Sequence, residues 1–312
     1  MSLHVDKRIG GYTRYYFGEP ELMNVPDEVR KCVAFLACKD SKGMKLGGTA
    51  FIVGISSPTP DFPQLSFTYA ITAKHVIDAI KENSVDGLAY LRLNFKGDGA
   101  KLIQSKLVDW RFHPSDKSVD VAVLPIPMAQ EFDHLFYPSV SFATPEVIKN
   151  QGIGIGDEVF LVGLFVHHFG QERNIPILRV GNIAAMPEEK VHTKAGLVDA
   201  YLVEARSIGG LSGSPVFVNL SGVRTVGGNL SVGGAGFYLL GLMHGHWHVE
   251  PESDTVVVDS RKESVNMGIA IVIPAQKILE VLNQPEFEEA RKKQIDILRK
   301  QNAPTPDSKA PS

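Results

Sequence analysis

The chain has 312 residues, of which 44% are apolar and 21% charged, and its formal net charge is −3. This composition is typical of a soluble globular protein with a sizeable core. The slight acidic excess argues against binding to nucleic acid or to an anionic membrane, both of which need clustered basic residues. The N-terminal residues lack an apolar signal segment, and no run of about 18 apolar residues predicts a membrane span.

The chain has only two cysteines, Cys32 and Cys38, and both lie in one apolar run. In a straight strand they would be roughly 20 Å apart at about 3.3 Å per residue, which is too far for a disulfide. Two reduced thiols predict a reducing compartment, and we therefore expect a cytoplasmic protein.

The first half of the chain predicts an irregular N-terminal arm followed by a β unit. Short β-branched and apolar segments alternate with Gly, Pro and polar turn residues, a pattern typical of all-β proteins. The arm covers residues 1–27 and the first β unit covers 28–126. Its predicted strands are 30–38, 47–54, 67–72, 88–95, 101–112 and 119–126, with a helical turn at 73–80 after the third strand.

The second half repeats this pattern after a connector at 127–150 that contains three prolines. A second β unit covers 151–273 and a pair of C-terminal helices covers 274–301, the first of which begins at a proline. The final residues, 302–312, predict a disordered tail. The second unit has predicted strands at 157–164, 177–185, 197–205, 216–220, 237–248 and 268–273. The last helix has a thin apolar stripe of Phe287, Ala290, Ile297 and Leu298.

Ser212 lies in a Gly-rich turn immediately before an apolar strand. A nucleophilic serine needs a sharp turn that exposes its hydroxyl and aims backbone N–H groups at the developing oxyanion. Glycine permits such a turn because it lacks Cβ. The alternatives are Ser214 as the nucleophile, or an ordinary Gly/Ser/Pro turn between two strands.

A base and an acid for this serine occur earlier in the chain. His75 follows the third predicted strand, and Asp120 lies at the start of the sixth. A serine nucleophile requires such a pair, one to take the proton and one to orient the imidazole. Asp116 is an alternative acid, but Asp120 is favoured because a strand would hold it rigidly. His75 is alternatively a structural histidine near a helix start.

Three segments in this order resemble the trypsin-like, chymotrypsin-fold serine peptidases, in particular the bacterial Deg/HtrA-type peptidase domain. The resemblance covers about residues 30–284. The matching segments are Thr-Ala-Lys-His-Val at 72–76, Asp-Val-Ala-Val-Leu at 120–124 and Gly-Leu-Ser-Gly-Ser-Pro at 210–215.

This resemblance implies an all-β fold, a double β-barrel with C-terminal helices, with the active site between the barrels. His75, Asp120 and Ser212 would form the catalytic triad, and the N–H groups of Gly210 and Ser212 the oxyanion hole. The reaction would need neither an organic cofactor nor a metal. Leu211 stands where secreted digestive members carry an aspartate, so activation by cleavage after Arg8 is not expected.

The resemblance also implies a substrate pocket near Arg206, His244 and His246. Basic and imidazole groups there would suit an acidic or polar substrate side chain through charge-assisted hydrogen bonds. Alternatively, Arg206 points outward and the histidines are structural.

His244, His246 and His248 recur at period two, which predicts one strand face. With His167 or His168 they are a candidate zinc site. No carboxylate or cysteine of ligand spacing accompanies them, so we expect no metal.

The sequence therefore predicts a serine endopeptidase, active as folded or latent until activated, that cleaves a peptide or protein substrate. One alternative is a non-catalytic peptide-binding module on the same fold, and another is a zinc-dependent hydrolase. We expect no nucleic-acid or membrane partner. A protein activator, or self-assembly through the C-terminal helix, is the expected route to activation if the enzyme is latent.

Overall fold

The computed structural model describes residues 25–193, 196–205, 210–220, 223–226, 229–232, 236–249 and 265–302. The strands of the first half are β1 (Val33–Asp40), β2 (Gly43–Ser56), β3 (Ser66–Thr72), β4 (Leu88–Asn94), β5 (Ala100–Lys106), β6 (Arg111–Phe112), β7 (Ala122–Pro125) and β8 (Tyr137–Pro138). The strands of the second half are β9 (Glu158–Gly163), β10 (Ile177–Ala185), β11 (Val191–Thr193), β12 (Gly196–Val198), β13 (Tyr201–Glu204), β14 (Pro215–Asn219), β15 (Val223–Val226), β16 (Asn229–Val232), β17 (Phe237–Val249) and β18 (Val265–Pro274). The helices are α1 (Lys74–Asn83), α2 (Pro145–Gln151), α3 (Ala275–Leu282) and α4 (Pro285–Gln301).

The first half of the chain forms an eight-stranded sheet. Its strands are hydrogen-bonded in the order β5-β4-β1-β2-β3-β7-β6, and β8 pairs with β2. Phe35 of β1 and Phe51 of β2 are fully buried in its core. Strand β1 is buried on both faces over residues 33–38, and burial of its large side chains stabilises the unit.

Six strands of the second half close into a barrel in the order β10-β13-β18-β17-β14-β9. Closure removes exposed strand edges, so every barrel strand has a hydrogen-bonded neighbour on both sides. Phe160 and Phe217, on neighbouring strands, stack with ring centroids 5.1 Å apart. Two separate hairpins, β11–β12 and β15–β16, lie outside the barrel sheet.

The predicted fold class is confirmed, because the protein is mostly β, with two β units and C-terminal helices. The domain boundaries stay a prediction, and the stretch 127–150 contains β8 and all but the last residue of α2. Most of the predicted N-terminal arm and of the tail, residues 1–24 and 303–312, lies outside the described residues.

Cys32 and Cys38 are free and buried, as their predicted spacing requires. No helix in the described part of the chain has the length and apolar character needed to cross a bilayer.

Helix α4 packs against the first sheet. Phe287 is buried and meets Tyr69 of β3 edge to face, with ring centroids 5.3 Å apart. Arg291, one turn later, donates a hydrogen bond to the Tyr69 hydroxyl at 3.0 Å. Ile295 completes this face at the i+8 position and is also buried. The helix thus ties the C-terminus to the first β unit.

The apolar stripe predicted for α4 was wrong in two of its four members. Ile297 is 54% exposed, and Ala290 is also exposed. The helix instead packs against the first sheet with the face formed by residues 287, 291 and 295. The middle residue of this face is an arginine, and a hydropathy pattern does not predict its hydrogen bond to Tyr69.

Replacing Phe287 by Ala should lower the free energy of unfolding by about 3 kcal/mol, because it removes a buried aromatic side chain and leaves a cavity. Ile297→Ala, on the exposed face of the same helix, is the matched control and should change it by less than about 0.5 kcal/mol. Urea unfolding followed by fluorescence measures both. Equal effects of the two substitutions would contradict the observed face of α4.

Candidate active site

His75 and Asp120 meet because of the register between two neighbouring strands. Thr72, the last residue of β3, is paired with Ala122, the first residue of β7. His75 follows Thr72 on the first turn of α1, and Asp120 lies just before β7. The pairing therefore brings both side chains to the same end of the sheet.

Asp120 contacts His75 at two points. Its Oδ1 accepts a hydrogen bond from the backbone N–H of His75 at 2.8 Å, and its Oδ2 lies 2.7 Å from His75 Nδ1. The residue before α1, Ala73, offers no side-chain cap, so this carboxylate satisfies a free N–H of the first turn and faces the positive end of the helix. The two contacts fix the orientation of the imidazole.

This geometry also selects a tautomer of His75. An ionised carboxylate can only accept hydrogen bonds, so Nδ1 must carry the proton. In the neutral ring Nε2 is then an acceptor. A histidine that has to remove a proton from a hydroxyl needs this tautomer.

The Asp120 carboxylate is 4% exposed. Burial raises its pKa, but the hydrogen bonds from His244 and His75 outweigh burial and hold the pKa of Asp120 well below its usual range. Asp120 is therefore an anion throughout the neutral pH range.

Ser212 lies in a tight turn between β13 and β14. The Ser214 N–H donates to the Leu211 carbonyl at 3.0 Å, which closes the turn. Gly213 has φ +82°, and a Cβ there would overlap the carbonyl oxygen of Thr49. Only glycine fits this position, which accounts for the Ser-Gly pair in the sequence.

The two serines of the turn differ in accessibility. Ser212 is half-buried, whereas Ser214 is fully buried and its Oγ has no hydrogen-bond partner among the described residues. A buried hydroxyl cannot meet a substrate, so this burial disfavours the alternative nucleophile.

The Ser212 hydroxyl is hydrogen-bonded to the backbone of β17. Its Oγ lies 3.3 Å from the His244 carbonyl oxygen, to which it donates. Within the described part of the chain, Ser212 Oγ makes no hydrogen bond to His75. In the described conformation the hydroxyl is therefore bonded to the His244 carbonyl rather than to the imidazole.

His244 contributes a second imidazole to Asp120. Its Nδ1 lies 2.5 Å from Asp120 Oδ2, and its ring centroid is 5.3 Å from that of His75. A register shift between Met243 and Gly245 in the pairing of β17 with β18 makes His244 the extra residue of a β-bulge. A bulge re-aims a side chain, and this one directs His244 towards the carboxylate.

The predicted common strand face was wrong for His244 and His246, because the register shift between Met243 and Gly245 interrupts the alternation between them. The side chain of His248 lies outside the described residues. His167 and His168, the other ligands considered, are exposed. The bulge has no recognisable signature among these residues, so the contact of His244 with Asp120 could not be predicted from them.

Three possible ligand atoms, one each from His75, Asp120 and His244, lie within 4.8 Å of one another. Two imidazole nitrogens and a carboxylate oxygen form a donor set that zinc accepts. The sequence had not placed a carboxylate beside the histidines. The same three residues are also the candidate base, its orienting acid and a second donor to that acid.

Three of the remaining predicted site residues lie in the described part of the chain. Gly210 has φ +100° and lies two residues before Ser212 in the turn. Asp116, the alternative acid, accepts hydrogen bonds from the backbone and side chain of Ser118. His246 is half-buried. Arg206 lies outside the described residues, so its assignment to a substrate pocket stays a prediction.

No protein-family model matches the chain, and no curated protein matches its sequence. Two similar solved structures are both of proteases. The apo MamO protease domain from Magnetospirillum magneticum is 14% identical, with a TM-score of 0.47, and the match covers 82% of this chain and 98% of that one. A catalytically active tobacco etch virus protease complexed with product is 13% identical, with a TM-score of 0.43 and 89% of each chain covered. These likenesses concern the fold and carry no information about the chemistry of this site.

Replacing Asp120 by Asn should destabilise the protein by about 3 kcal/mol near neutral pH, because a buried charge with several donors is lost. The pKa of Asp120 is lower in the folded state than in the unfolded chain, where it is about 3.9. Its contribution is therefore fully present above that value and is lost as pH falls through the lower folded-state pKa. Urea unfolding of both proteins between about pH 7 and pH 2 should show the difference shrinking in acid. A difference that stays constant over this range would contradict the assigned ionisation.

Proposed function

We propose that the protein is a serine endopeptidase in which Ser212 is the nucleophile, His75 the general base and Asp120 the orienting acid. The observation that carries this proposal is the two-point contact of the buried, ionised Asp120 with the backbone and ring of His75. A purely structural histidine needs no anion to fix its tautomer. The Ser212 turn, in which Ser212 is half-buried and Ser214 fully buried, lies against the same end of the first sheet.

The proposed reaction is acyl transfer. Ser212 Oγ turns from the His244 carbonyl to His75 Nε2, loses its proton to that nitrogen and attacks the carbonyl carbon of the peptide bond. Asp120 stabilises the imidazolium, and the N–H groups of Gly210 and Ser212 stabilise the oxyanion. His75 then protonates the leaving amine, and water releases the acyl group by the same steps.

A serine rather than a cysteine mechanism is supported by the sequence. Residue 212 is a serine, and the only cysteines of the chain are Cys32 and Cys38. Both are buried, and burial raises the pKa of Cys32 to about 12. Such a thiol is not ionised at neutral pH and is a poor nucleophile. Among peptidases of this kind, the three motifs still resemble the Deg/HtrA type.

We further propose that the described conformation is a resting state. The Ser212 hydroxyl lies on the His244 carbonyl rather than on His75, so substrate or an activating partner would have to favour the rotated hydroxyl. A protein activator, or self-assembly through α4, is the proposed source of that bias. The same contact supports the alternative function, a peptide-binding module that makes no covalent intermediate.

We propose a reducing compartment, such as the cytoplasm, as the place of action. Support comes from the two buried free thiols, since paired cysteines are the rule in oxidising compartments. Fractionation of the producing cells tests this, and recovery of the protein only from an oxidising compartment would contradict it.

A fluorophosphonate probe should label the intact protein at Ser212, because such probes react with serines whose proton is removed by an adjacent base. Mass mapping identifies the labelled residue. Ser212→Ala and His75→Ala should abolish labelling, and Asp120→Asn should slow it by about 10⁴-fold through loss of the correct tautomer.

Two matched controls accompany this experiment. Asp116→Asn and Ser214→Ala change the alternative acid and the alternative nucleophile, and both should retain labelling. If labelling persists in Ser212→Ala, or is absent even with an activating peptide library present, the peptidase proposal is wrong. If hydrolysis instead depends on bound zinc and stops with a chelator, the site is the zinc-dependent hydrolase considered as an alternative.

Arg206, with His244 and His246, is proposed to set a preference for acidic or polar substrate side chains. Arg206→Ala should reduce the preference for acidic residues by about 10-fold or more, because one charge-assisted hydrogen bond is lost. Cleavage profiling with a peptide library measures this. An unchanged profile would remove Arg206 from the pocket.

A further inference from the structure

Thr49 is a fully buried polar residue in β2, among apolar neighbours of the first sheet. A buried hydroxyl is costly unless it is hydrogen-bonded. Thr49 Oγ1 donates to the carbonyl of Gly210 at 2.8 Å and accepts from the N–H of Leu164 at 2.9 Å. Both partners belong to the second β unit, so one side chain of the first sheet joins two segments of the other unit.

The backbone of Thr49 contacts the same turn. Its N–H donates to the Ser212 carbonyl at 3.0 Å. The Thr49 carbonyl accepts a hydrogen bond from the Thr72 hydroxyl at 2.7 Å, and this bond fixes the backbone of Thr49 itself. Thr49 therefore holds two carbonyls of the nucleophile turn, those of Gly210 and Ser212.

These contacts determine the direction of the Ser212 N–H. Holding the Gly210 carbonyl fixes the peptide plane before Leu211, and holding the Ser212 carbonyl fixes the plane after Ser212. The peptide between them is additionally held by the bond from Ser214 N–H to the Leu211 carbonyl. Because the two neighbouring peptides and the Leu211 carbonyl are all held, the Leu211–Ser212 peptide has one orientation, and so has the Ser212 N–H.

Gly210, whose carbonyl Thr49 holds, is a residue with wide intrinsic conformational freedom. Gly210 has φ +100°, a region in which glycine pays no steric penalty and other conformations are equally open to it. A Cβ at this position would lie 2.9 Å from the Leu164 carbonyl oxygen, so the chain cannot use a bulkier residue to restrict it. The Thr49 hydroxyl supplies the restraint instead.

We propose that Thr49 is a positioning residue for the oxyanion hole, acting through the Gly210 carbonyl. Its hydroxyl holds the Gly210–Leu211 peptide, and this restrains the following Leu211–Ser212 peptide, whose N–H would face the substrate oxyanion. This inference rests on the proposed peptidase function. Thr49 itself is buried and acts only through the turn.

The test compares Thr49→Val, which keeps the shape but removes the hydroxyl, with Thr49→Ser, which keeps the hydroxyl. The fluorophosphonate reacts through an oxygen that the oxyanion hole must hold. Thr49→Val should therefore label Ser212 about 10- to 100-fold more slowly, somewhat less than the loss of a whole oxyanion donor. Thr49→Ser should stay within about 3-fold of the wild type, since the donor is retained.

Thr68→Val is the matched control. Thr68, on β3, donates its hydroxyl to the Ile126 carbonyl at 2.5 Å, away from the Ser212 turn. The Thr68→Val variant loses a hydrogen bond of the same kind, but its Ser212 should be labelled at the wild-type rate. Thermal unfolding verifies that each variant is folded under the assay conditions, and Thr49→Ala replaces Thr49→Val if the latter does not fold.

Hydrogen exchange of the amides of residues 210–214 separates this inference from the proposed function. Thr49→Val should speed that exchange, and Thr68→Val should not. If the wild type is never labelled, the peptidase proposal fails, but the exchange data still decide whether Thr49 orders the turn. Labelling and exchange in Thr49→Val that equal those of Thr68→Val would overturn the role of Thr49.

Discussion

The buried carboxylate of Asp120 is the constraint on which the site depends. An unpaired anion at this depth would lose its solvation and become protonated. It remains charged because three donors converge on it, the backbone N–H and ring of His75 and the ring of His244. Two donors come from α1 of the first unit and one from the bulge of β17 in the barrel. The carboxylate is thus satisfied only when the two units are docked.

A second set of contacts joins the same two β units with the roles of the units exchanged. The first unit's acid is bound by His244 of the barrel, while the barrel's Ser212 turn is bound by Thr49 of the first sheet. Each unit therefore completes part of the site that the other carries. This reciprocity explains how His75 and Ser212, the proposed base and nucleophile, can come from separate halves of the chain and still be held in one site.

The parts of this arrangement that sequence could predict are the local ones. The strand patterns, the glycine required after Ser212, and the histidine and aspartate beside strand ends all follow from short-range preferences. The role of Thr49 does not, because its hydroxyl partners lie 161 and 115 residues away along the chain. Nor does the contact of His244 with Asp120, because a bulge cancels the period-two rule from which a strand face is predicted.

His244 links the two functional ends of the site. Its ring donates to Asp120, and its carbonyl accepts the Ser212 hydroxyl at 3.3 Å, a long hydrogen bond of modest strength. In the proposed reaction the Ser212 hydroxyl gives up this one hydrogen bond when it turns to His75, whereas the contacts of Asp120 with both histidines are already in place. A ligand that binds more tightly to the protein with the rotated hydroxyl would shift the population towards that rotamer by as much as its affinities for the two rotamers differ.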